Sequence, residues 1–405
     1  MSDQRRPVLS VEEARERILA TVRILEPERV SLLQAAGRVL AEEVTSERDI
    51  PPLDNSAMDG YAVRGADVSQ ASARLQIVGQ VAAGHISETT VGPGQTLRIM
   101  TGAPVPAGAD TVVRFEDTRS DGDWVEVIQA YSTGKNVRAA GEDVYAGQMV
   151  LEPGKVLRPQ EIGMLAAVGR MEATVARRPR VAIMATGDEV VPPDQPPGPG
   201  QIRDANSYTI AAQVQAFGGL PLLLGVARDE ETLVRQGMRE ALEQESDFII
   251  TSGGVSVGDF DLVKQVLAAE GEMHFWSLNM KPGRPMAFGV VDGVPLLGLP
   301  GNPVAAMIST QLFARPALLK MQGFSDWPHQ VIQARLKEPV ARKDGRRHYL
   351  RVHLIETERG YEAALTGDQG SGILNSLVQA DGLAVIPEEA QRLPAGAEVA
   401  VILLD

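Results

Sequence analysis

The sequence DFIITSGGVSVGDFD, residues 247–261, is followed by KPGRP at 281–285 and GLPGNP at 298–303. The apolar run 248–250 predicts a buried strand, and the turn 252–254 after it presents backbone amide groups that can face an anion. Asp259 and Asp261 come soon after that turn. Carboxylates beside an anion-binding loop suit a hard cation such as Mg²⁺ placed between them and phosphate oxygens. This stretch therefore predicts a metal-bridged site for a phosphorylated ligand.

Composition excludes several classes of function. The chain has 405 residues, a formal net charge of −14 and no cysteine. Its length predicts about two to four domains. The negative charge argues against a broad nucleic-acid or membrane surface, and the lack of cysteine excludes disulfides, a thiolate nucleophile and cysteine-ligated metals. The five histidines show no HxxxH or HExxH spacing, which argues against a zinc hydrolase.

The sequence also shows no targeting or membrane-spanning segment. The first residues lack an apolar stretch typical of a secretory signal. No apolar run approaches the roughly 20 residues that cross a bilayer. We therefore expect a cytoplasmic protein without a membrane span.

Two helices are predicted at the start of the chain. Ser10 with Glu13, and Ser31 with Gln34, match the spacing of the helix capping box. The helical periodicity after them extends to about residue 25 and about residue 44.

The next part of the chain changes character. From residue 46 to 147, short β-type runs alternate with glycine and proline, which predicts a mostly β domain. A helical pattern returns at 159–169. We therefore expect segments 1–45 and 148–178 to form a helical linker or dimerisation domain, with 46–147 inserted into it.

Strands and helices alternate from residue 179 to 327. The strand-like runs are 181–185, 222–226, 248–251 and 296–299, and the helical runs are 207–217, 230–243, 260–270 and 303–320. This alternation predicts a parallel sheet covered on both faces, and the strands of the tail, 328–405, predict a small barrel. The predicted fold class is multidomain α/β plus β: a central doubly wound, mostly parallel α/β sheet domain, an inserted small β domain, an N-terminal helical linker domain and a C-terminal β-barrel-like domain.

The candidate ligand site lies at one edge of the predicted sheet. Ligands of open parallel sheets bind outside the carboxyl ends of the strands. Polar or glycine-rich sequence follows four such ends, at 186–189, 228–229, 252–254 and 300–303. A single loop of this kind is usually an ordinary turn, but four at one edge predict a binding site.

The charged residues at this edge also have structural explanations. Asp259 and Asp261 could complement a helix dipole, and Asp188 with Glu189 could cap a helix or loop. The upstream glycine turn favours metal or ligand contact for Asp259, and Glu189 is the better functional candidate of its pair.

The motif KPGRP offers two fixed cations. Its prolines restrict the backbone, which suits Lys281 and Arg284 to bind an oxyanion. A solvated basic turn is an equally weighted alternative.

Three polar loops fall in or near the predicted β domain: DNSAMDGYAV at 54–63, MTGAPVPAGAD at 100–110 and GEDV at 141–144. Ordinary turn chemistry explains each loop alone. Together they place several carboxylates in one small domain, and Asp59 and Asp143 become candidates for a second half-site.

The motifs also resemble a known family. SAMDGYA, MTGAPVP, GEDV, TGDEV, SGGVSVGDFD, KPGRP and LPGNPVA occur in this order. Their order and the length of the chain resemble the molybdopterin molybdenumtransferases over nearly the whole sequence. The sheet domain alone also resembles molybdopterin adenylyltransferases, whereas the β insertion and the β tail favour the molybdenumtransferases.

The resemblance implies a reaction and an assembly. Molybdate and adenylylated molybdopterin would be the substrates, molybdenum would enter the dithiolene, and AMP would leave with the help of Mg²⁺. The assembly would be a homodimer whose cleft lies between the α/β domain of one subunit and the tail domain of the other. A molybdopterin-adenylylating enzyme, and downstream cofactor-elaborating enzymes or apo-molybdoenzymes, would be possible partners.

The resemblance also implies residue roles. Asp59, Asp143, Glu189, Asp259 and Lys281 would be catalytic, and Glu189, Asp229 and Asp259 would hold Mg²⁺ or orient phosphates. The substrate-binding positions would be Thr101, Asp229, Ser252, Gly253, Gly254, Pro282, Gly283, Arg284, Pro300, Gly301, Asn302, Arg351 and Ser371. Within this set, Lys281, Arg351 and Ser371 would bind the tetrahedral oxyanion; for Arg351, an ordinary exposed arginine is the alternative.

Two positions depart from the family pattern. Some relatives carry a further basic residue shortly before KPG, where this chain has Ser277, and many carry serine where it has Ala305. Three other functions stay open: a molybdopterin adenylyltransferase, a scaffold of the gephyrin type, and a nucleotide-sugar or phosphosugar binder. The acidic set argues against the scaffold, and the lack of GxGxxG or GxxxxGK argues against the last.

Overall fold

The computed structural model describes residues 8–254 and 262–404. The chain forms two compact units: the first combines Met1–Glu28 with Val175–Asp405, and the second is Arg29–Thr174. In the described part of the chain, no helix is both long enough and apolar enough to cross a membrane. Asp259 and Asp261 lie outside the described residues, so the roles given to them stay predictions.

The helices of the described chain range from one turn to more than three. They are α1 Val11–Thr21, α2 Leu32–Ala35, α3 Pro159–Ala167, α4 Asn206–Ala216, α5 Glu231–Glu243, α6 Leu262–Glu270, α7 Pro303–Ser309, α8 Arg315–Met321 and α9 Asn375–Val378. A π-helical turn, Thr310–Ala314, joins α7 to α8. Before α1, the Ser10 hydroxyl accepts a hydrogen bond from the Glu13 amide at 3.1 Å, and the Glu13 carboxylate accepts one from the Ser10 amide at 2.8 Å. The first predicted capping box is confirmed.

The predicted helix from residue 31 to about 44 is wrong beyond its first turn. The helix α2 ends at Ala35, and Gly37 adopts a φ of +77°. The Gly37 amide then donates to the Leu157 carbonyl at 2.8 Å, so the backbone turns away to form bridges with a distant segment. The apolar spacing imitates a helix, but a glycine in the left-handed region ends it.

The strands between residues 27 and 176 are short. They are β1 Pro27–Ser31, β2 Val44–Thr45, β3 Asn55–Ser56, β4 Gly60–Val63, β5 Ala73–Val81, β6 Gln95–Ile99, β7 Thr111–Arg114, β8 Thr118–Asp121, β9 Trp124–Val127, β10 Val137–Arg138, β11 Met149–Leu151 and β12 Glu172–Ala176. Six of them form one sheet in the order β7, β4, β6, β5, β9, β8. Apolar clusters cover both of its faces, around Tyr61 on one and Leu97 on the other. The predicted small β domain is confirmed.

The first helix packs differently from the prediction. Its side chains Val11, Ala14 and Ile18 are buried in the core of the first unit, together with Phe313 and Leu318. The helix α3 instead packs on α2 in the second unit. Of the two opening helices, α2 therefore packs with α3, whereas α1 belongs to the core of the first unit.

The first unit contains a six-stranded sheet. The strands from residue 180 to 299 are β13 Arg180–Thr186, β14 Val190–Val191, β15 Ile202–Arg203, β16 Leu220–Ala227, β17 Phe248–Ser252, β18 Gly271–Ser277, β19 Met280–Lys281, β20 Pro285–Val291 and β21 Val294–Leu299. The sheet has the order β16, β13, β17, β21, β20, β18; its first four strands are parallel, and β20 and β18 are antiparallel additions. The two antiparallel strands are not among the strands predicted from the sequence.

Helices cover both faces of this sheet. Alternate residues of β13 and β17 bury their side chains on opposite sides: Ile183 and Ile250 pack with α4, α7 and α8, whereas Met184 and Ile249 pack with α5 and α6. A strand buried on both faces reads as a continuous apolar run, which is why these segments were identifiable from the sequence. The predicted doubly wound architecture is confirmed.

The tail forms a closed barrel. Its strands are β22 Val331–Leu336, β23 Val340–Ala341, β24 Arg347–Thr357, β25 Gly360–Leu365, β26 Gly382–Ile386, β27 Arg392–Leu393 and β28 Glu398–Leu403. The pairings run β24, β25, β22, β28, β26 and return to β24. The short strand β19 adds to β24 in parallel, and it connects the barrel with the sheet. The predicted barrel-like tail is confirmed.

Candidate active site

The register of the parallel strands aligns the predicted loops. Ala185 of β13 lies opposite Ser252 of β17, and Ser252 lies opposite Leu299 of β21. The three strands therefore end at the same edge, and the loops at 187–189, 252–254 and 300–302 follow there. This is the edge at which open α/β sheets bind ligands.

The glycine turn after β17 packs tightly against the end of β13. Gly253 and Gly254 have φ values of +97° and +66°, in the left-handed region that glycine tolerates. A Cβ atom on Gly253 would lie 2.4 Å from the Thr186 carbonyl oxygen. The Gly253 amide donates to the Leu299 carbonyl at 3.0 Å. Close packing therefore requires glycine at position 253, and the positive φ favours glycine at position 254.

Three carboxylates lie on the neighbouring loops. The Asp229 amide donates to the Asp188 carboxylate at 3.2 Å, and the Glu189 carboxylate lies over Gly187. Partial burial raises the pKa of Asp229, and the negative charges of Asp188 and Glu189 raise it further. A bound cation would relieve this repulsion. Within residues 8–254 and 262–404, no group of three His, Cys, Asp or Glu side chains forms a ready metal site, and Asp259 lies outside that range.

A large cleft opens between the sheet domain and the barrel of the first unit. Its volume is about 1030 Å³. The predicted residues that line it are Lys281, Pro282, Gly283, Arg284, Pro300, Asn302, Arg351 and Ser371. Further cations on its wall are Arg342, Lys343 and Arg346, whereas its carboxylates are Asp344 and Asp368. The cleft is therefore rich in positive charge, although the chain as a whole is acidic. All of these residues belong to one chain.

The KPGRP loop forms one wall of this cleft. Lys281 lies in β19, opposite His348 of β24. Pro282 and Gly283 are buried, whereas Lys281 and Arg284 are exposed. The Leu278 amide closes the loop by donating to the Arg284 carbonyl at 2.9 Å. The middle of the loop is therefore buried, and the two cationic side chains at its ends are exposed.

Arg351 has a different setting from the one predicted. Its side chain is completely buried. The guanidinium donates to the Ser376 hydroxyl at 3.0 Å and to the carbonyls of Asp368, Gln369 and Gly370 at 3.2, 3.2 and 3.0 Å. Burial lowers the pKa of Arg351, and the charge of Asp368 opposes that effect. This geometry favours a role in holding the loop that carries Ser371, rather than an exposed arginine.

The loop held by Arg351 also contacts the helix that follows the PGNP motif. The Ser371 carbonyl accepts a hydrogen bond from the Val304 amide at 3.2 Å. Ala305, the position where many relatives carry serine, lines the cleft next to it. The hydroxyl that Ala305 lacks would therefore have faced the cleft.

Asp344 is a residue that the sequence interpretation missed. Its carboxylate accepts hydrogen bonds from His348 Nε2 at 2.8 Å and from Arg346 at 2.6 Å, and it lies 3.9 Å from the Lys281 ammonium. Burial raises the pKa of Asp344, but the hydrogen bond and charge of His348 and the charge of Arg346 outweigh it and lower the pKa to about 2. Burial lowers the pKa of His348. The dense charge of the segment RKDGRRH, residues 342–348, was the sequence feature that could have pointed to Asp344.

The remaining predicted residues lie in the second unit. The Thr101 amide and hydroxyl donate to the Asp59 carboxylate at 2.7 and 2.8 Å, and these two bonds lower the pKa of Asp59. Asp143 is exposed, and its amide donates to the Ile50 carbonyl at 3.1 Å. The structure thus joins Asp59 with Thr101 and leaves the Asp143 carboxylate facing solvent in this chain.

Known protein families match the chain in three segments. Residues 9–169 match the MoeA N-terminal region (domain I and II), residues 182–320 match a probable molybdopterin binding domain, and residues 333–404 match the MoeA C-terminal region (domain IV). These segments cover the inserted β domain, the sheet domain and the barrel.

Individual proteins are similar over nearly the full length. A molybdopterin molybdenumtransferase of a Nostoc species is 38% identical over 94% of this chain and 89% of its own length. Molybdopterin molybdenumtransferase 2 of Mycobacterium tuberculosis is 37% identical over 97% of this chain and 98% of its own length. The crystal structure of a molybdopterin biosynthesis MoeA protein from Pyrococcus horikoshii has a TM-score of 0.85 and 33% identity, and the match covers 98% of this chain and 99% of that one.

Replacing Arg351 with lysine tests the role of its guanidinium. Lysine keeps the charge but cannot reach three carbonyls and a hydroxyl at once, so buried acceptors lose their partners. We expect the free energy of unfolding to fall by about 2–4 kcal/mol in urea titrations. Arg335→Lys is the control, since Arg335 makes only an exposed ion pair with Glu398 at 3.7 Å. An equal loss in both variants would contradict the assignment.

The low pKa of Asp344 predicts a stability difference that depends on pH. Its carboxyl titrates at about 2 in the folded chain, below its ordinary value of 3.8, so its contribution to stability is present above about pH 4 and disappears as the pH falls towards 2. We expect Asp344→Asn to lose about 1 kcal/mol at pH 7 and progressively less as the pH falls towards 2, where half of the Asp344 carboxyls are protonated. The measurement is urea unfolding across this range, and exposed Asp326→Asn is the control. A difference that does not shrink on acidification would rule out this linkage.

Proposed function

The chain belongs to the molybdopterin molybdenumtransferase family, and from this premise we propose that it transfers molybdenum from molybdate to adenylylated molybdopterin and releases AMP. The observation that carries the proposal is the cation-lined cleft of about 1030 Å³ beside the glycine turn at the sheet edge. The cleft offers charge for an oxyanion, and the turn offers amide groups for a phosphate. Molybdate would bind in the cleft, and the phosphate of adenylylated molybdopterin would bind at the turn.

The cleft end suits molybdate. Lys281 and Arg284 project from a loop whose buried proline and glycine keep it in place, so their charges are held at the wall of the cleft. Ser371 lies opposite on the loop that Arg351 fixes. A tetrahedral oxyanion needs several donors that converge from different sides, and Lys281, Arg284 and Ser371 all line this one cleft.

The sheet edge suits the phosphate end of molybdopterin. Gly253 and Gly254 allow the backbone to approach a ligand closely, and Ser252 adds a hydroxyl at the same turn. Pro300, Gly301 and Asn302 form the next loop along the edge. Release of AMP requires an oxygen nucleophile to attack phosphorus while the phosphate charges are neutralised.

The acidic loops fit a divalent cation. Glu189 and Asp229 would hold Mg²⁺ together with Asp259, and the raised pKa of Asp229 is the sign of repulsion that a cation would relieve. When bound, Mg²⁺ would neutralise charge on the phosphate oxygens. Glu189, Asp229 and Asp259 would also orient the phosphate groups of the substrate. Asp59 and Asp143 would act as catalytic carboxylates, as the resemblance implies, and Thr101 fixes the Asp59 carboxylate.

The lack of cysteine fits the same chemistry. The sulfur ligands of molybdenum would come from the dithiolene of the substrate, so the protein needs no thiolate of its own. A protein thiolate beside molybdate would compete for the metal. The absence of cysteine from all 405 residues is therefore compatible with the proposed transfer.

The assembly and location follow as further proposals. We propose a cytoplasmic homodimer in which each cleft receives residues from the partner subunit. A molybdopterin-adenylylating enzyme would supply the substrate, and cofactor-elaborating enzymes or apo-molybdoenzymes would take the product. The acidic net charge of −14 argues against a nucleic-acid partner.

The proposed reaction predicts a strict requirement for three components. We expect the purified protein to release AMP from adenylylated molybdopterin only when molybdate and Mg²⁺ are both present, measured by chromatography of the nucleotide products. Omission of either ion is the control. Release of pyrophosphate from ATP and molybdopterin would instead support an adenylyltransferase, and no turnover of either substrate would support a scaffold.

The charge of Lys281 predicts a selective effect on molybdate. Lys281→Met keeps most of the side-chain length but removes the cation, so we expect the molybdate concentration for half-maximal AMP release to rise about tenfold or more. The half-maximal concentration of adenylylated molybdopterin should change less. Lys337→Met, an exposed position of the tail outside the cleft lining, is the control. Unchanged molybdate dependence in Lys281→Met would exclude this role.

A further inference from the structure

Asn206 connects two loops that are distant in sequence. Its side-chain amide donates to the Ser252 hydroxyl oxygen at 2.6 Å and to the Gly301 carbonyl at 2.7 Å. A carbonyl oxygen accepts hydrogen bonds only, so the contact with Gly301 fixes which end of the amide carries the nitrogen. Both protons of that nitrogen are therefore in use, one on each loop.

Asn206 approaches the loops from a rigid element. It is the first residue of α4, and the Ser207 amide at the start of this helix donates to the Asp204 carboxylate at 3.0 Å. Further along α4, Gln213 donates to the Met307 carbonyl of α7 at 3.2 Å. The start of the helix, where Asn206 lies, is thus fixed by Asp204, and a later turn of the helix also contacts α7.

The hydrogen bond from Asn206 determines what the Ser252 hydroxyl can do. One lone pair of the oxygen is occupied by the amide proton, and no described residue accepts the hydroxyl proton of Ser252. The side chain is 3% exposed, so bulk water does not readily replace an acceptor. A buried hydroxyl with its own proton unused is suited to donate to a ligand oxygen.

A second buried hydroxyl lies at the same turn. Thr186 Oγ1 has no hydrogen-bond partner among residues 8–254 and 262–404, and the Thr186 residue is 3% exposed. The oxygen would lie 2.8 Å from a Cβ atom on Gly253 and 3.0 Å from one on Gly254. Unsatisfied buried hydroxyls are uncommon in folded proteins. Thr186 Oγ1, together with the Ser252 hydroxyl that only accepts among the described residues, therefore indicates a polar ligand at this glycine turn.

We infer that Asn206 is a positioning residue for the phosphate-bearing half of the substrate. Its amide fixes the spacing between the turn 252–254 and the loop 300–302, and it leaves the Ser252 hydroxyl proton for a phosphate oxygen. This inference rests on the proposed function for the identity of the ligand. The helix α4 would thus contribute to the site by positioning two loops, a role that the motifs at the strand ends do not include.

The isosteric variant Asn206→Leu tests the inference. It keeps the side-chain size and removes both donors. We expect the KM for adenylylated molybdopterin in AMP release to rise about tenfold, with kcat and the KM for molybdate changed less than about threefold. The matched control is Gln213→Met on the same helix, which also deletes an amide donor to a carbonyl and should leave all three parameters as they are.

Asn206→Asp adds a dependence on pH. The ionised carboxylate cannot donate to the Gly301 carbonyl, and it would accept the Ser252 proton that the ligand needs. Protonation restores one donor, so kcat/KM of this variant should recover as the pH falls through the pKa of the new carboxyl. The unsubstituted chain and Gln213→Met should show no such recovery.

Two further measurements separate a positioning role from a structural one. If Asn206 acts through Ser252, Asn206→Leu should change KM less than about threefold in a Ser252→Ala background. Hydrogen–deuterium exchange of peptides 248–254 and 298–302 should be faster in Asn206→Leu than in the unsubstituted chain, whether or not the substrate is bound.

The outcomes distinguish the inference from the proposed function. If the unsubstituted chain releases no AMP, the proposed function fails, and unchanged exchange of both loops in Asn206→Leu would then overturn the inference as well. If AMP is released normally, the inference falls when Asn206→Leu leaves the KM for adenylylated molybdopterin unchanged, raises both KM values equally, or acts undiminished without Ser252.

Discussion

The site depends on the register of three neighbouring parallel strands. Because Ala185, Ser252 and Leu299 lie side by side, the chain leaves β13, β17 and β21 at one height, and the loops that follow are forced together. The glycine turn at 252–254 fits only because no Cβ atom meets the Thr186 carbonyl. A slip of one residue in any of these pairings would turn alternate side chains to the wrong face and separate the loops. The carboxylates, the glycines and Asn206 therefore all rely on this alignment.

The barrel contributes to the site through a small but direct connection. Strand β19 carries Lys281 and pairs with β24 of the barrel, so the KPGRP loop is fixed by backbone hydrogen bonds on the barrel side as well as by its own buried residues. From β24, Arg351 reaches inward and holds the loop that bears Ser371. Its buried charge is stabilised by four polar acceptors rather than by a carboxylate partner, which suits a cation that must keep a loop in place. The walls of the cleft are thus linked covalently and by hydrogen bonds.

The charge distribution explains how an acidic chain can bind anions. The net charge of −14 would repel molybdate and phosphate at long range, but cations are concentrated on the cleft wall, where few carboxylates accompany them. Asp344 is the exception. It lies 3.9 Å from Lys281 and also binds Arg346 and His348, so it fixes the position of the local cations while reducing their net charge. An oxyanion entering this cleft meets charges that are already ordered.

The sequence by itself determined the alternation of the sheet domain, the barrel-like tail and the residues at the strand ends, because apolar runs, glycine turns and prolines act locally. It failed at the helix after Ser31, where Gly37 overrides apolar spacing, and at β18 and β20, whose antiparallel pairing depends on distant partners. Only the tertiary structure decided that Arg351 is buried behind the cleft, that Asp344 faces Lys281 and that Asn206 bridges Ser252 and Gly301. Contacts between residues far apart in the chain leave no periodicity in the sequence, so the fold alone brings them together.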